Sequence, residues 1–78
     1  MNNISQKIKG LLEISGKSQK ELSEYMGISF QALRNKLARG SFSASDLIKI
    51  ASFTDSDLAF LHNEHKIILD DACLRDSD

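Results

Sequence analysis

Ser18 is followed three residues later by Glu21, and Ser43 three residues later by Asp46. This is the spacing of a capping box: the serine hydroxyl accepts from the backbone N–H three positions on, and the carboxylate reaches back to the serine's own N–H. Ser29, between them, is a third candidate N-cap. Gly16, Gly27 and Gly40 stand where the preceding helix must stop, each supplying a left-handed residue at low cost. Starts and stops this closely spaced dictate short helices joined by tight turns. The 78 residues, with no proline, have room for one such unit and only a small core.

Apolar spacing fills in the helices. The first is expected from Asn3 or Ile4 to about Ser15, with Ile4, Ile8, Leu11, Leu12 and Ser15 on one stripe and Lys7, Lys9 and Glu13 solvated. The second carries Leu22, Tyr25 and Met26 on its apolar edge, with the small Ser23 beside them, and ends at Gly27. Ile28, just before the Ser29 cap, can staple onto Leu33 in the third helix, whose Leu33 and Leu37 point inward with Phe30 flanking them. Phe42 and Leu47 repeat the staple around Ser43, and Leu47, Ile50, Ala51 and Phe53 or Thr54 form the buried stripe of the fourth helix. Ile48 widens that buried arc.

Beyond Thr54 the pattern changes. Two apolar runs, Leu58–Leu61 and Lys66–Leu69, flank His62-Asn63-Glu64-His65, and the β-branched Ile67 and Ile68 favour a strand. The expectation is a β-hairpin, with a short fifth helix over Asp55–Leu61 as the competing reading. The fold class is therefore mainly α: a four-helix bundle over residues 1–54, a hairpin extension of the same domain over 55–71, and a flexible acidic tail over 72–78.

The net charge of −1 conceals a split. Residues 1–50 hold eight Lys and Arg against four acids, a net of +4, while residues 51–78 net −5. A basic front and an acidic rear would orient the domain toward a polyanion. Cys73 is the only cysteine, so no intramolecular disulfide forms. The opening MNNISQKIKG has no apolar signal region, and no run approaches a membrane span, so a cytoplasmic protein is expected.

Ser18 to Gly40 carries the functional signal. At about 100° per residue, with Leu33 and Leu37 inward, Gln31, Asn35 and Ala38 point outward from the third helix (about 29–39), and Arg34 and Arg39 flank them. Arg suits guanine edges, and Gln and Asn suit adenine edges; a major groove about 12 Å wide admits one α-helix. Lys17, Gln19 and Lys20 stand at the start of the second helix, where free amides and the helix dipole favour phosphate. Ser29 and Ser41 are further phosphate candidates. Phe30 is weighed as a staple residue against a contact to a thymine methyl.

The run SQKELSEYMGISFQAL from Ser18 to Leu33, with SDLIKIA from Ser45 to Ala51, resembles the lambda-repressor-like (Cro/Xre type) helix-turn-helix family. The resemblance covers about residues 4–54. It implies a bundle whose second and third helices form a DNA-reading unit, with Gln19 on phosphate and the outward third-helix residues on bases. It also implies a double-stranded DNA partner, a transcriptional regulator acting as a homodimer, and a bacterial or phage source. The sequence departs from the pattern at Ser23, often alanine in the family; at Lys36–Gly40, one residue longer; and at Thr54-Asp55, in place of Leu-Gly. The hairpin stretch looks similar to an extension found in some small relatives.

Other chemistry finds little footing. His62, Glu64, His65 and Cys73 are poorly spaced for a metal, and no cofactor is expected. No nucleophile–base pair or phosphate-cradling glycine loop argues for an enzyme. The acidic rear and the hairpin keep one competitor: a protein-binding module of antitoxin or anti-repressor type.

Overall fold

All three serines cap the helices they precede. In a computed structural model, which describes residues 3–70 and 72, the chain forms α1 (Asn3–Ser15), α2 (Gln19–Met26), α3 (Phe30–Arg39) and α4 (Ala44–Phe53), followed by β1 (Leu58–His62) and β2 (His65–Leu69). The hydroxyls of Ser18, Ser29 and Ser43 accept from the N–H groups of Glu21, Ala32 and Asp46, each at 3.0 Å. Glu21 and Asp46 close their boxes by accepting from Ser18 N–H at 2.9 Å and Ser43 N–H at 3.0 Å. The expected tail 72–78, with Cys73, lies outside the described residues apart from Ala72.

The four helix ends share one device. Gly27 takes φ +74, which lets Ile28 N–H donate back to Ser23 C=O at 3.0 Å. α4 does the same without glycine: Asp55 sits at φ +55, and Ser56 N–H reaches Ala51 C=O at 2.8 Å. That left-handed residue, with buried Thr54 bonding back to the Ile50 and Ala51 carbonyls, ends the helix and turns the chain into β1. A strand follows where a fifth helix was the competing reading.

Ile8, Leu12, Leu22, Met26, Leu33, Leu37 and Ile50 form the core, with Leu11, Ile28, Phe42, Leu47 and Phe53 packed around it. Ile28, Phe42 and Leu47, expected as staple residues, thus all pack against the core that holds Leu33. Three residues of the expected apolar faces lie further out. Ile4 and Phe30 are exposed, and half-exposed Tyr25 lays its ring 5.0 Å from that of Phe53 and donates its hydroxyl to Ser52 Oγ at 3.1 Å. Tyr25 thus links α2 to α4 from the rim rather than from the core. Buried Ser5, on the polar side of the expected stripe, donates its hydroxyl to Leu37 C=O and ties α1 to α3.

β1 and β2 pair antiparallel, Leu58 opposite Leu69 and Phe60 opposite Ile67, closing at His62 and His65. Asn63 turns the chain at φ +56, a conformation asparagine tolerates. Only the root of the hairpin packs: Leu58 lines a shallow apolar cleft with Ile8, Leu11 and Leu47, while Phe60, Leu61 and Ile67 are 63%, 76% and 59% exposed.

Asp46 also joins α4 to α3, accepting from Lys36 Nζ at 3.0 Å. Partial burial works to raise its pKa, but the Ser43 N–H, the Lys36 ammonium and the Ser43 hydroxyl outweigh that and hold it below the ordinary aspartate value. Its stabilising contribution is then complete above the unfolded-state pKa near ~4 and is lost as pH falls through the lower folded-state value. Asp46→Asn is expected to cost about 1 kcal/mol at pH 7. It should also flatten the loss of stability between about pH 5 and pH 2, checked by urea melts across that range.

Candidate nucleic-acid interface

The third helix is anchored on one side and wet on the other. Leu33 is wholly buried and Leu37 nearly so, which sets the roll of α3; Gln31, Asn35, Ala38 and Arg39 are all exposed. Gln31 Nε2 donates to Asn35 Oδ1 at 3.2 Å, a one-turn pair that holds both amides side by side. Arg34 is exposed on the flank, its guanidinium 5.8 Å from the centre of the Phe30 ring. Phe30 therefore acts as a platform for arginine as well as the first residue of the helix.

α2 packs against α3. Ser23, where family members often carry alanine, is buried and donates its hydroxyl to Lys20 C=O at 2.7 Å, so its polar group is satisfied within its own helix. At the start of α2, half-buried Gln19 and Arg34 of α3 line one open cleft of about 230 Å³ together with Lys9, Leu37 and Ala38. Lys20 is exposed nearby in sequence.

Lys17 is drawn elsewhere. Its ammonium lies 5.0 Å over the Phe53 ring, beside Tyr25, on the α4 side of the bundle. The fold does not bring it to the cleft that Gln19 and Arg34 share. Ser29 is exposed and committed as a cap, with its own O–H left to donate, and Ser41 is exposed in the α3–α4 turn. Arg39 and Lys36 end α3, where their charge complements the helix dipole.

The sequence marks Lys9 only as a solvated residue of α1, whereas in the fold it borders the same cleft as Gln19 and Arg34. Among the described residues, Lys36 pairs with Asp46 and Lys66 lies 3.8 Å from Asp57; Lys9, Lys20, Arg34 and Arg39 have no carboxylate partner. The basic groups around α3 other than Lys36 thus keep their charge unneutralised. Glu21, beside Lys17 and Lys20 in sequence, is held below the usual glutamate range, chiefly by the hydrogen bond from Ser18 N–H.

A family model for the bacteriophage CI repressor helix-turn-helix domain matches residues 7–66. The chain belongs to that family. No curated protein and no solved structure matches it. The match is consistent with a lambda-repressor-like architecture, and it runs past the four helices through β1 and the turn to the second residue of β2. The protein is a DNA-binding regulator, from a family of DNA-binding repressor domains and not an enzyme class. Among the described residues no three His, Cys, Asp or Glu side chains gather as metal ligands, and no helix is long and apolar enough to cross a membrane.

The Ser5 tether sets where the end of α3 lies against α1. Ser5→Ala removes the hydroxyl that donates to the Leu37 carbonyl and should cost about 0.5–1.5 kcal/mol in denaturant melts. Ser41→Ala, on the exposed turn, is expected to stay within about 0.5 kcal/mol of the parent.

Proposed function

We propose that the domain reads the major groove of double-stranded DNA with α3 and represses transcription by occupying an operator. One observation carries this reading: Leu33 and Leu37 hold α3 to the core while Gln31, Asn35 and Ala38 face solvent on the opposite side. The Gln31–Asn35 hydrogen bond leaves Gln31 Oε1 and the Asn35 amide hydrogens free to meet the acceptor–donor edge of adenine. Ala38 leaves room for the backbone of the helix to approach the bases. Gln19, Lys20, Ser29, Ser41 and Arg39 surround this face and take phosphate contacts, with Arg34 at its edge. Lys17, turned toward Phe53, is the weakest member of the set.

The active form is a two-fold homodimer joined through the C-terminal hairpin. Its tip presents Phe60, Leu61 and Ile67 to solvent, and a two-stranded hairpin with both edges open is marginal in water without a covering surface. A second copy is the occupant a palindromic operator requires, because half-sites about 34 Å apart are read by symmetry-related helices. A cytoplasmic setting in a bacterium, on a host or prophage operator, fits this role.

The same exposed hairpin favours a second reading, a protein-binding module of antitoxin or anti-repressor type. Duplexes selected from a random pool separate the two, since absence of salt-sensitive binding to any duplex would leave only the protein-binding module. With a selected duplex, Gln31→Ala should weaken binding by about 1–3 kcal/mol and relax preference at one base pair. Lys20→Ala should weaken all sequences alike and flatten the salt dependence.

The dimer has its own check. Light scattering should give twice the chain mass for the parent and the chain mass for Phe60→Asp with Ile67→Asp, with helical circular dichroism unchanged. A monomeric parent would remove the hairpin as the dimer contact.

A further inference from the structure

Lys7 and Lys9 are two residues apart on α1, both outside its buried side, and nothing in their local sequence tells them apart. The fold separates them. Two residues of helix turn the side chains about 200° from each other. Lys7 borders the apolar cleft with Ile4 and Leu58 on the hairpin side, whereas Lys9 borders the cleft of about 230 Å³ with Gln19, Arg34, Leu37 and Ala38.

That second cleft joins three helices and is chemically one-sided. It brings Lys9 of α1 and Arg34 of α3 to one opening, with Gln19, the first residue of α2. Among the described residues, neither cation has a carboxylate partner. Two like charges facing one opening repel, and an anion between them turns that repulsion into two attractions. Arg34 is placed for this by its position in the helix: it stands on the flank toward Leu37, about 80° away from the midpoint of Gln31 and Asn35. Its guanidinium is kept near Phe30 and is not extended along the outer face.

We propose that this cleft seats one backbone phosphate of DNA, gripped by Lys9 and Arg34, with the Gln19 side-chain amide donating a third contact. The seat rests on the DNA-binding reading and changes one assignment within it: Arg34 holds the backbone at the groove edge, leaving base reading to Gln31 and Asn35. Bidentate guanidinium geometry suits phosphate as well as it suits guanine. Contacts from α1 and α3 to a single phosphate would also set how deeply α3 enters the groove.

The test compares two substitutions of equal charge. Lys9→Gln and Lys7→Gln are titrated, beside the parent, against a duplex selected from a random pool and an unrelated duplex of the same length, over a range of salt. Lys9→Gln is expected to lose on the order of five- to tenfold in affinity for both duplexes at about 0.1 M salt, with a slope shallower by about 0.9 per bound protomer. Lys7→Gln should stay within about twofold of the parent on both. Thermal melts by circular dichroism, expected to coincide for all three, exclude a folding defect. A Lys9→Gln slope equal to that of the parent sinks the phosphate seat while DNA binding stands. A parent with no salt-dependent binding removes both. Arg34→Gln decides the remaining point: equal loss on the two duplexes supports the seat, and loss confined to the selected duplex returns Arg34 to base reading.

Discussion

The roll of α3 about its own axis is what every outward feature of this domain depends on, and two leucines set it. Burying Leu33 and Leu37 is worth about 1.5–3 kcal/mol each, and a rotation by one residue would exchange part of that gain for a buried guanidinium (Arg34) or ammonium (Lys36) group. Both effects favour the same angle. The Ile28 staple and the Ser29 cap fix where the helix begins, and the Ser5 hydroxyl on the Leu37 carbonyl fixes where its last turn lies against α1. On so small a core, the outward face of α3 is held by anchor points spread along the length of the helix.

Charge is distributed unevenly around that helix. On the α4 flank, Lys36 is neutralised by Asp46, a carboxylate that also caps α4 and so positions the α3–α4 turn. On the α1 flank, Arg34 meets a second cation and no acid among the described residues. The net charge of the whole chain hides this, because the acids that balance the total lie largely in the C-terminal third. An approaching polyanion meets local potential, not the sum over the chain.

Local signals are legible in the sequence because they act over three or four residues. The capping boxes at Ser18–Glu21 and Ser43–Asp46 and the glycine stops all appear where spacing placed them. The hairpin was legible from Ile67, Ile68 and the turn residues, while the competing helix over Asp55–Leu61 was decided only by the left-handed turn at Asp55. What stayed hidden were contacts between elements: Ser5 with Leu37, Lys36 with Asp46, Lys17 over Phe53, and Lys9 beside Arg34. No periodicity marks a polar residue that finds its partner ten or more positions away. The buried side of α1 lies a fraction of a turn from the apolar stripe at its start, with Ile4 outside it and Ser5 within.

The helix exits have a consequence for how such a domain tolerates change. A Cβ added at Gly16 or Gly27 would meet no atom within 4 Å, so these positions are restricted by handedness alone and not by crowding. Asp55 already occupies the fourth exit with a side chain. Asparagine or aspartate can therefore replace a glycine at these corners for roughly 1 kcal/mol, whereas a β-branched residue, which strongly disfavours positive φ, would have to unwind the turn. The corners constrain which mirror image the backbone adopts, and leave the space around it open.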